Sequence, residues 1–191
     1  MVAGYSRKVC DVEIRQLCME DLDDVMVLQQ ENYAPELLEG REVFESIIRY
    51  QAQFCRAIVH AESIVGYLFA HLHARDGPPP ALAVALHEQS FPSDGLVFIH
   101  DACISKKFQG RGLLRLMLST IDQREGMACV AVQGAEVVWK KLGFLAVRSA
   151  GDCGYGDGSL LMIRDSPRVE EEGVLLSDAQ RPLSRPIAVR S

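Results

Sequence analysis

Val12-Glu13-Ile14-Arg15-Gln16-Leu17 alternates apolar and polar side chains, the period of a strand with one buried face. The period then changes. Leu22, Val25, Met26 and Leu28 recur at helical spacing behind the acidic residues Glu20, Asp21, Asp23 and Asp24, which suit the positive end of a helix. Asn32-Tyr33-Ala34-Pro35 ends that helix. A second helix is expected from Arg41 to Phe54, with Val43, Phe44, Ile47 and Ile48 on one side. Cys55–Ala61 and Ile64–Leu72 read as two strands of a hairpin, turning at Glu62-Ser63. Asp76-Gly77-Pro78-Pro79-Pro80 opens an irregular insert that lasts to Gly95. Beyond it the pattern predicts a strand from Leu96 to Ile104, a helix from Gly112 to Arg124 and a strand from Met127 to Val132. A short helix from Ala135 to Leu142 and strands at Phe144–Val147 and Ser159–Ile163 complete the set.

This alternation of strands and helices predicts an α/β (α+β) domain over residues 10–165, preceded by a loose leader at 1–9. From Ser166 the periodicity is lost among Glu170-Glu171-Glu172, Arg181-Pro182 and Arg185-Pro186. Residues 166–191 are read as a flexible tail, with Val174-Leu175-Leu176 as a candidate docking segment within it.

Composition narrows the function. The 191 residues are 48% hydrophobic and 24% charged, which suits a globular chain, and the formal charge of −6 disfavours nucleic acid as a partner. No apolar run approaches the roughly 20 residues of a membrane span, and no apolar stretch follows Arg7-Lys8, so a cytoplasmic protein without a membrane partner is expected. The six cysteines include no C-x-x-C pair, so no metal site is expected; buried reduced thiols are. His71 and His73 share a face of the hairpin and are read as surface or cleft residues.

The chemistry concentrates in Ile99-His100-Asp101-Ala102-Cys103-Ile104-Ser105-Lys106-Lys107-Phe108-Gln109-Gly110-Arg111-Gly112-Leu113-Leu114. A strand, a loop with two glycines and a helix present unpaired backbone N–H groups to an anion, and glycine lets a phosphate come close. The mononucleotide signature G-x-x-x-x-G-K-[ST] and the third glycine of a dinucleotide fingerprint are both absent.

Lys107-Phe108-Gln109-Gly110-Arg111-Gly112 resembles the Q/R-x-x-G-x-G/A signature of the GNAT superfamily of acetyl-CoA-dependent N-acetyltransferases. Trp139-Lys140-Lys141-Leu142-Gly143-Phe144 is similar to that superfamily's Y-E-K-L-G-F segment, and the order of elements from Val12 to Arg164 is similar too. Within the superfamily, Leu96–Leu114 looks most like the serotonin (arylalkylamine) N-acetyltransferase branch.

The resemblance implies a mixed, mostly antiparallel sheet of six to seven strands flanked by helices, with the fourth and fifth strands, Leu96–Ile104 and Met127–Val132, splayed apart. It implies acetyl-CoA as co-substrate, its pantetheine arm on the edge formed by Ala102, Cys103 and Ile104. Lys107, Gln109, Gly110, Arg111, Gly112 and Leu113 match the pyrophosphate loop. Trp139, a further cofactor contact, stands where most members have the tyrosine that protonates the departing thiolate, and Val132 stands where an asparagine is common. Indole N–H is a hydrogen-bond donor but no matching acid, so the acid role is open, with Tyr155 in Gly154-Tyr155-Gly156 as a candidate.

Attack by an amine needs a proton acceptor. His100 is the first candidate, with an ordinary pKa of roughly 6.5 and a position matching a histidine given this role in the serotonin branch. Asp101 would face the other way in a regular pleat, and a bulge would bring it round as base or orienter. Cys103 lacks an activating neighbour, which argues against an acyl-enzyme. The expected acceptor is the primary amine of a small molecule, reacting directly in a ternary complex with a monomer or homodimer. Two other readings stay open: an acyl-CoA-binding module with lost or weak turnover, and a protein N-terminal or lysine acetyltransferase.

Overall fold

In a computed structural model, residues 6–9, 11–92, 95–121 and 126–166 are described. Eight strands form one sheet: β1 (Ser6–Val9), β2 (Val12–Gln16), β3 (Arg56–His60), β4 (Ser63–His73), β5 (Leu96–Ile104), β6 (Met127–Ala131), β7 (Leu145–Ser149) and β8 (Leu160–Arg164). Their order is β1-β2-β3-β4-β5-β6-β8-β7, and β5–β6 is the parallel pair among antiparallel neighbours. Among the described residues four helices, α1 (Leu22–Asn32), α2 (Arg41–Gln51), α3 (Leu113–Leu118) and α4 (Glu136–Lys141), flank it.

The helical stripes decide the layers. Leu22, Val25 and Leu28 of α1 and Val43, Phe44, Ile47 and Ile48 of α2 pack with Tyr67, Phe69 and Cys103 in one core. Leu113, Met117 and Leu118 of α3 and Trp139 of α4 pack with Ile58, Leu68, Val97 and Met162 in another. Phe44 is fully buried, its ring centroid 4.6 Å from that of Phe69 and 6.4 Å from that of Tyr67. Phe44→Ala is therefore expected to cost about 3–5 kcal/mol, read as the change in unfolding free energy in urea.

Three local expectations are corrected. Ser6–Val9, expected within a loose leader, pairs antiparallel with β2 and adds an eighth strand, because β2 otherwise exposes an unpaired edge there. The hairpin turns at Ala61-Glu62, both at positive φ (46° and 67°), with His60 opposite Ser63; two residues with positive φ match the right-handed strand twist. Helix α3 stops at Leu118. Thr120 and Ile121 donate to the carbonyls of Met117 and Leu118 in tighter turns, and the Arg56 guanidinium caps the Thr120 carbonyl at 2.8 Å. The rest of the helix expected to Arg124 (122–125) lies outside the described residues, as does the tail beyond Ser166.

The feature that positions the site is a bulge. Phe69 lies opposite Asp101 and Ala70 opposite Ile99, leaving His100 as the extra residue of β5. On its other side β5 pairs with β6 only from Val97–Ile99 to Met127–Cys129. Val130 and Ala131 pair with β8, so β5 and β6 part company at His100. Bulges bend a strand and increase its local twist, which accounts for a gap at that point.

Candidate active site

A cavity of about 810 Å³ runs through the gap between β5 and β6. Tyr33, Glu39, Leu82, His100, Asp101 and Tyr155 line one part of it, and Phe108, Gly110, Gly112, Leu113, Val132 and Trp139 another.

The hydrogen-bond alternation of β5 gives the cavity a main-chain wall. Ser105 N–H donates to the Val65 carbonyl at 2.9 Å, and Cys103 and Asp101 follow at alternate positions opposite Tyr67 and Phe69. Those residues spend their peptide groups on β4, so Ala102 and Ile104 turn theirs to the gap. Two side chains reach across to them: the Tyr33 hydroxyl lies 3.0 Å from the Ala102 carbonyl oxygen, and Gln109 Nε2 donates to the Ile104 carbonyl (2.9 Å).

Beyond Ile104 the chain passes a short 3-10 turn, Lys106–Phe108, and reaches the glycines. Gly110 and Gly112 both have φ of 74°, a conformation that suits glycine, and a Cβ at either would meet nothing within 4 Å. Among the described residues no acceptor is found for the backbone N–H groups of Gly110–Leu114. These amides surround open space, which fits a diphosphate.

Of the residues expected to hold the cofactor, Ala102, Cys103, Ile104, Gln109, Gly110, Gly112, Leu113 and Trp139 border the cavity. Lys107 and Arg111 stand outside it and are exposed. Arg111 folds back, its guanidinium 4.8 Å from the Phe108 ring centre and bonded to the Lys107 carbonyl at 3.1 Å. Cys103 contributes no thiol to the gap: its Sγ faces the Leu28 carbonyl (3.8 Å) under α1, and burial, with the charge of Asp101, pushes its pKa up to about 12. Trp139 is buried against Phe144, with ring centroids 5.1 Å apart.

The bulge puts His100 and Asp101 on the same side of the sheet. His100 Nε2 lies 2.9 Å from Glu39 Oε2, and the two side chains are 1% and 4% exposed. Its Nδ1 is buried, with no hydrogen-bond partner among the described residues. Burial opposes a charge on His100, but the hydrogen bond and charge of Glu39 outweigh it and raise its pKa above the ordinary value. Asp101 receives hydrogen bonds from the hydroxyls of Tyr33 (2.6 Å) and Tyr67 (2.8 Å). Burial lifts its pKa to about 6, against the pull of those two bonds.

Two expectations change here. Tyr155, the candidate acid, is buried, and its hydroxyl donates to the Pro80 carbonyl at 2.9 Å; it ties the insert to the Gly154–Gly156 loop. His71, expected at the surface or in a cleft, is 2% exposed, its ring 5.7 Å from that of His100 and 5.6 Å from that of Phe98. It sits on a central strand, and burial, then the charge on His100, lower its pKa to about 3, so it is neutral.

Tyr33, Glu39 and Tyr67 were not singled out by sequence reasoning. Tyr33 reads as part of a helix stop, Tyr67 falls inside the strand Ile64–Leu72, and Glu39 falls between the two expected helices. Their partners lie 68, 61 and 34 residues away, so no local pattern marks them. Among the described residues no group of three His, Cys, Asp or Glu is placed to hold a metal, and no helix is long and apolar enough to cross a membrane.

No protein-family model matches the chain, and no curated protein matches it in sequence. Solved structures do match in shape. The loading GNATL domain of CurA from Lyngbya majuscula superposes with a TM-score of 0.67 at 15% identity, covering 81% of this chain and 97% of that one. The GphF GNAT-like decarboxylase, in complex with isobutyryl-CoA, gives 0.62 at 15% identity over 80% and 98%. Arabidopsis thaliana Naa50, in complex with the bisubstrate analogue CoA-Ac-MVNAL, gives 0.59 at 13% identity over 82% and 99%. At these identities the likeness establishes the fold alone: the chain has the GNAT architecture.

Proposed function

We propose that the chain is an acetyl-CoA-dependent N-acetyltransferase acting on the primary amine of a small molecule. The observation that carries this reading is the continuous path from the open amides of Gly110–Leu114, along the gap-facing peptides of Ile104 and Ala102, to His100 and Asp101. An acyl-CoA is long, with a diphosphate at one end, amide groups along its arm and a thioester at the tip, and the path offers partners in that order. The CoA and acyl-CoA complexes among the structural neighbours support the same assignment.

In this reading acetyl-CoA supplies an activated acyl group. The residues of the chain do the rest. Amides of Gly110–Leu114 bind the diphosphate, and the edge at Ala102 and Ile104 aligns the arm. Asp101, held by Tyr33 and Tyr67, orients the incoming amine. His100, bound to Glu39 through Nε2, takes the proton. The N–C bond forms as the C–S bond breaks. A thiol with a pKa of roughly 8.5 leaves as thiolate without a dedicated acid, in keeping with Trp139 and with a Tyr155 hydroxyl engaged on Pro80.

The test is thermal shift with CoA, followed by acetyl transfer to a panel of arylalkylamines, polyamines and peptides with free N-termini. The arylalkylamines come first because Leu96–Leu114 resembles the serotonin N-acetyltransferase branch. Stabilisation by CoA together with product from a small amine is the expected result. Stabilisation without product on any acceptor would instead support the binding module suggested by Trp139 and Val132. Product on peptides alone would support the protein acetyltransferase.

A further inference from the structure

Glu39 joins two parts of the acceptor end of the cavity that are far apart in the chain. One carboxylate oxygen lies 2.9 Å from His100 Nε2, and the other accepts the N–H of Ala83 at 2.8 Å. Ala83 belongs to the insert that walls this end, and its φ of 60° is unusual for a residue with a Cβ. A strained residue persists where its surroundings over-determine it, and such residues cluster at ligand sites. The neighbouring Leu82 borders the cavity and donates its N–H to the Cys153 carbonyl at 3.2 Å. It packs closely over Gly154, where a Cβ would lie 3.5 Å from that of Leu82.

Glu39 is itself held. The Gln29 side chain, 1% exposed on α1, brackets its peptide group: Glu39 N–H donates to Gln29 Oε1 (2.8 Å), and Gln29 Nε2 donates to the Glu39 carbonyl (3.1 Å). A buried amide that brackets a residue's peptide group on both sides fixes where that residue's carboxylate points. The titratable groups around the pair are Asp101 on β5, His71 on β4, and the hydroxyls of Tyr33 and Tyr155.

We propose that Glu39 is a positioning residue that sets the acceptor wall at Leu82-Ala83 and the imidazole of His100 together, so that a seated wall and a correctly oriented proton acceptor are one state of the site. This rests on the acetyltransferase reading for its purpose but not for its test. It also bears on the acceptor. With the wall seated, Leu82 bounds the cavity, and the amine must be carried by a body small enough to fit beneath it.

The experiment uses the full chain with labelled histidine. The His100 imidazole is titrated by NMR, and amide exchange is followed at Leu82 and Ala83, in the wild type, Glu39→Gln and Glu39→Asp. In Glu39→Gln the His100 midpoint is expected to fall by about one unit or more, since its charge partner is lost. Exchange at Ala83 is expected to quicken about tenfold or more, while the β3 and β4 amides stay within about twofold. Glu39→Asp keeps the charge but is one methylene shorter and cannot span both partners, so the His100 midpoint and Ala83 exchange should still move together, by less than in Glu39→Gln, which guards against a Gln variant that fails to fold.

An unchanged His100 midpoint, a shifted midpoint with Ala83 undisturbed, or either readout at its wild-type value in the aspartate variant would overturn the coupling. In active enzyme the acid limb of kcat/KM should move to lower pH in Glu39→Gln, and KM for the amine should rise more than KM for acetyl-CoA. A chain that binds CoA but transfers nothing would sink the acetyltransferase reading, and the NMR and exchange results would still decide the role of Glu39.

Discussion

Gly112→Asp is expected to weaken CoA binding by about 100-fold or more, measured by calorimetry. The backbone at 112 has φ of 74°, and a Cβ there enters space that no protein atom fills. The fold can therefore accept the side chain at the cost of left-handed strain, about 1–2 kcal/mol for an ordinary residue and less for aspartate. The damage falls on the ligand. A carboxylate within about 4 Å of a diphosphate is repelled by about 4 kcal/mol for a unit charge at an effective dielectric of 20, before any steric term. Gly112→Ala separates the causes. It brings at least as much backbone strain without the charge, so it should lose only about tenfold, and the further loss in the aspartate variant is electrostatic. Equal Kd values for the aspartate variant and the wild type would remove the diphosphate from this loop.

His100→Gln should lower kcat by about 10²–10⁴-fold, the usual contribution of a general base, with KM for acetyl-CoA nearly unchanged. Glutamine is the informative choice because its amide still donates to Glu39. Alanine would leave a buried carboxylate without its partner, at a cost of about 3–5 kcal/mol, and confuse catalysis with folding. Asp101→Asn is expected to cost less, about tenfold in kcat with a higher KM for the amine, because the asparagine oxygen still accepts from one tyrosine.

The pH profile assigns the proton acceptor. The Glu39 carboxylate raises the pKa of His100 above 6.5, so its accepting form grows in as pH rises through that raised value. Asp101 would grow in near pH 6. An acid limb of kcat/KM above 6.5 that disappears in His100→Gln identifies the histidine. A limb near 6 that survives His100→Gln and is lost in Asp101→Asn would transfer the role to the aspartate.

Much of the frame was legible from local pattern. Val43, Phe44, Ile47 and Ile48 recur on one side of a helix and are buried there. The strand at Leu96–Ile104, the glycines at 110 and 112 and the short helix before Phe144 fall where periodicity and breakers put them. The strand Ser6–Val9 was not legible, because Ser6-Arg7-Lys8-Val9 has no alternating pattern and its partner is chosen by an open sheet edge. Tyr155 was legible as a glycine-flanked aromatic but not as a tie to Pro80, a contact across 75 residues.

By itself, then, the sequence determined the order of elements, the two helical stripes that become cores and the anion-ready glycine loop. These depend on the chemistry of neighbouring residues, and neighbours in the chain are visible in the sequence. Only the tertiary structure decided that one residue of slack falls at His100, that the bulge turns His100 and Asp101 to the same side, and that Tyr33 and Glu39 meet them there. Bulge placement depends on the register between two strands and on how far a sheet must twist. A buried proton acceptor takes its charge from whichever side chains packing brings within hydrogen-bond reach, however distant in the chain.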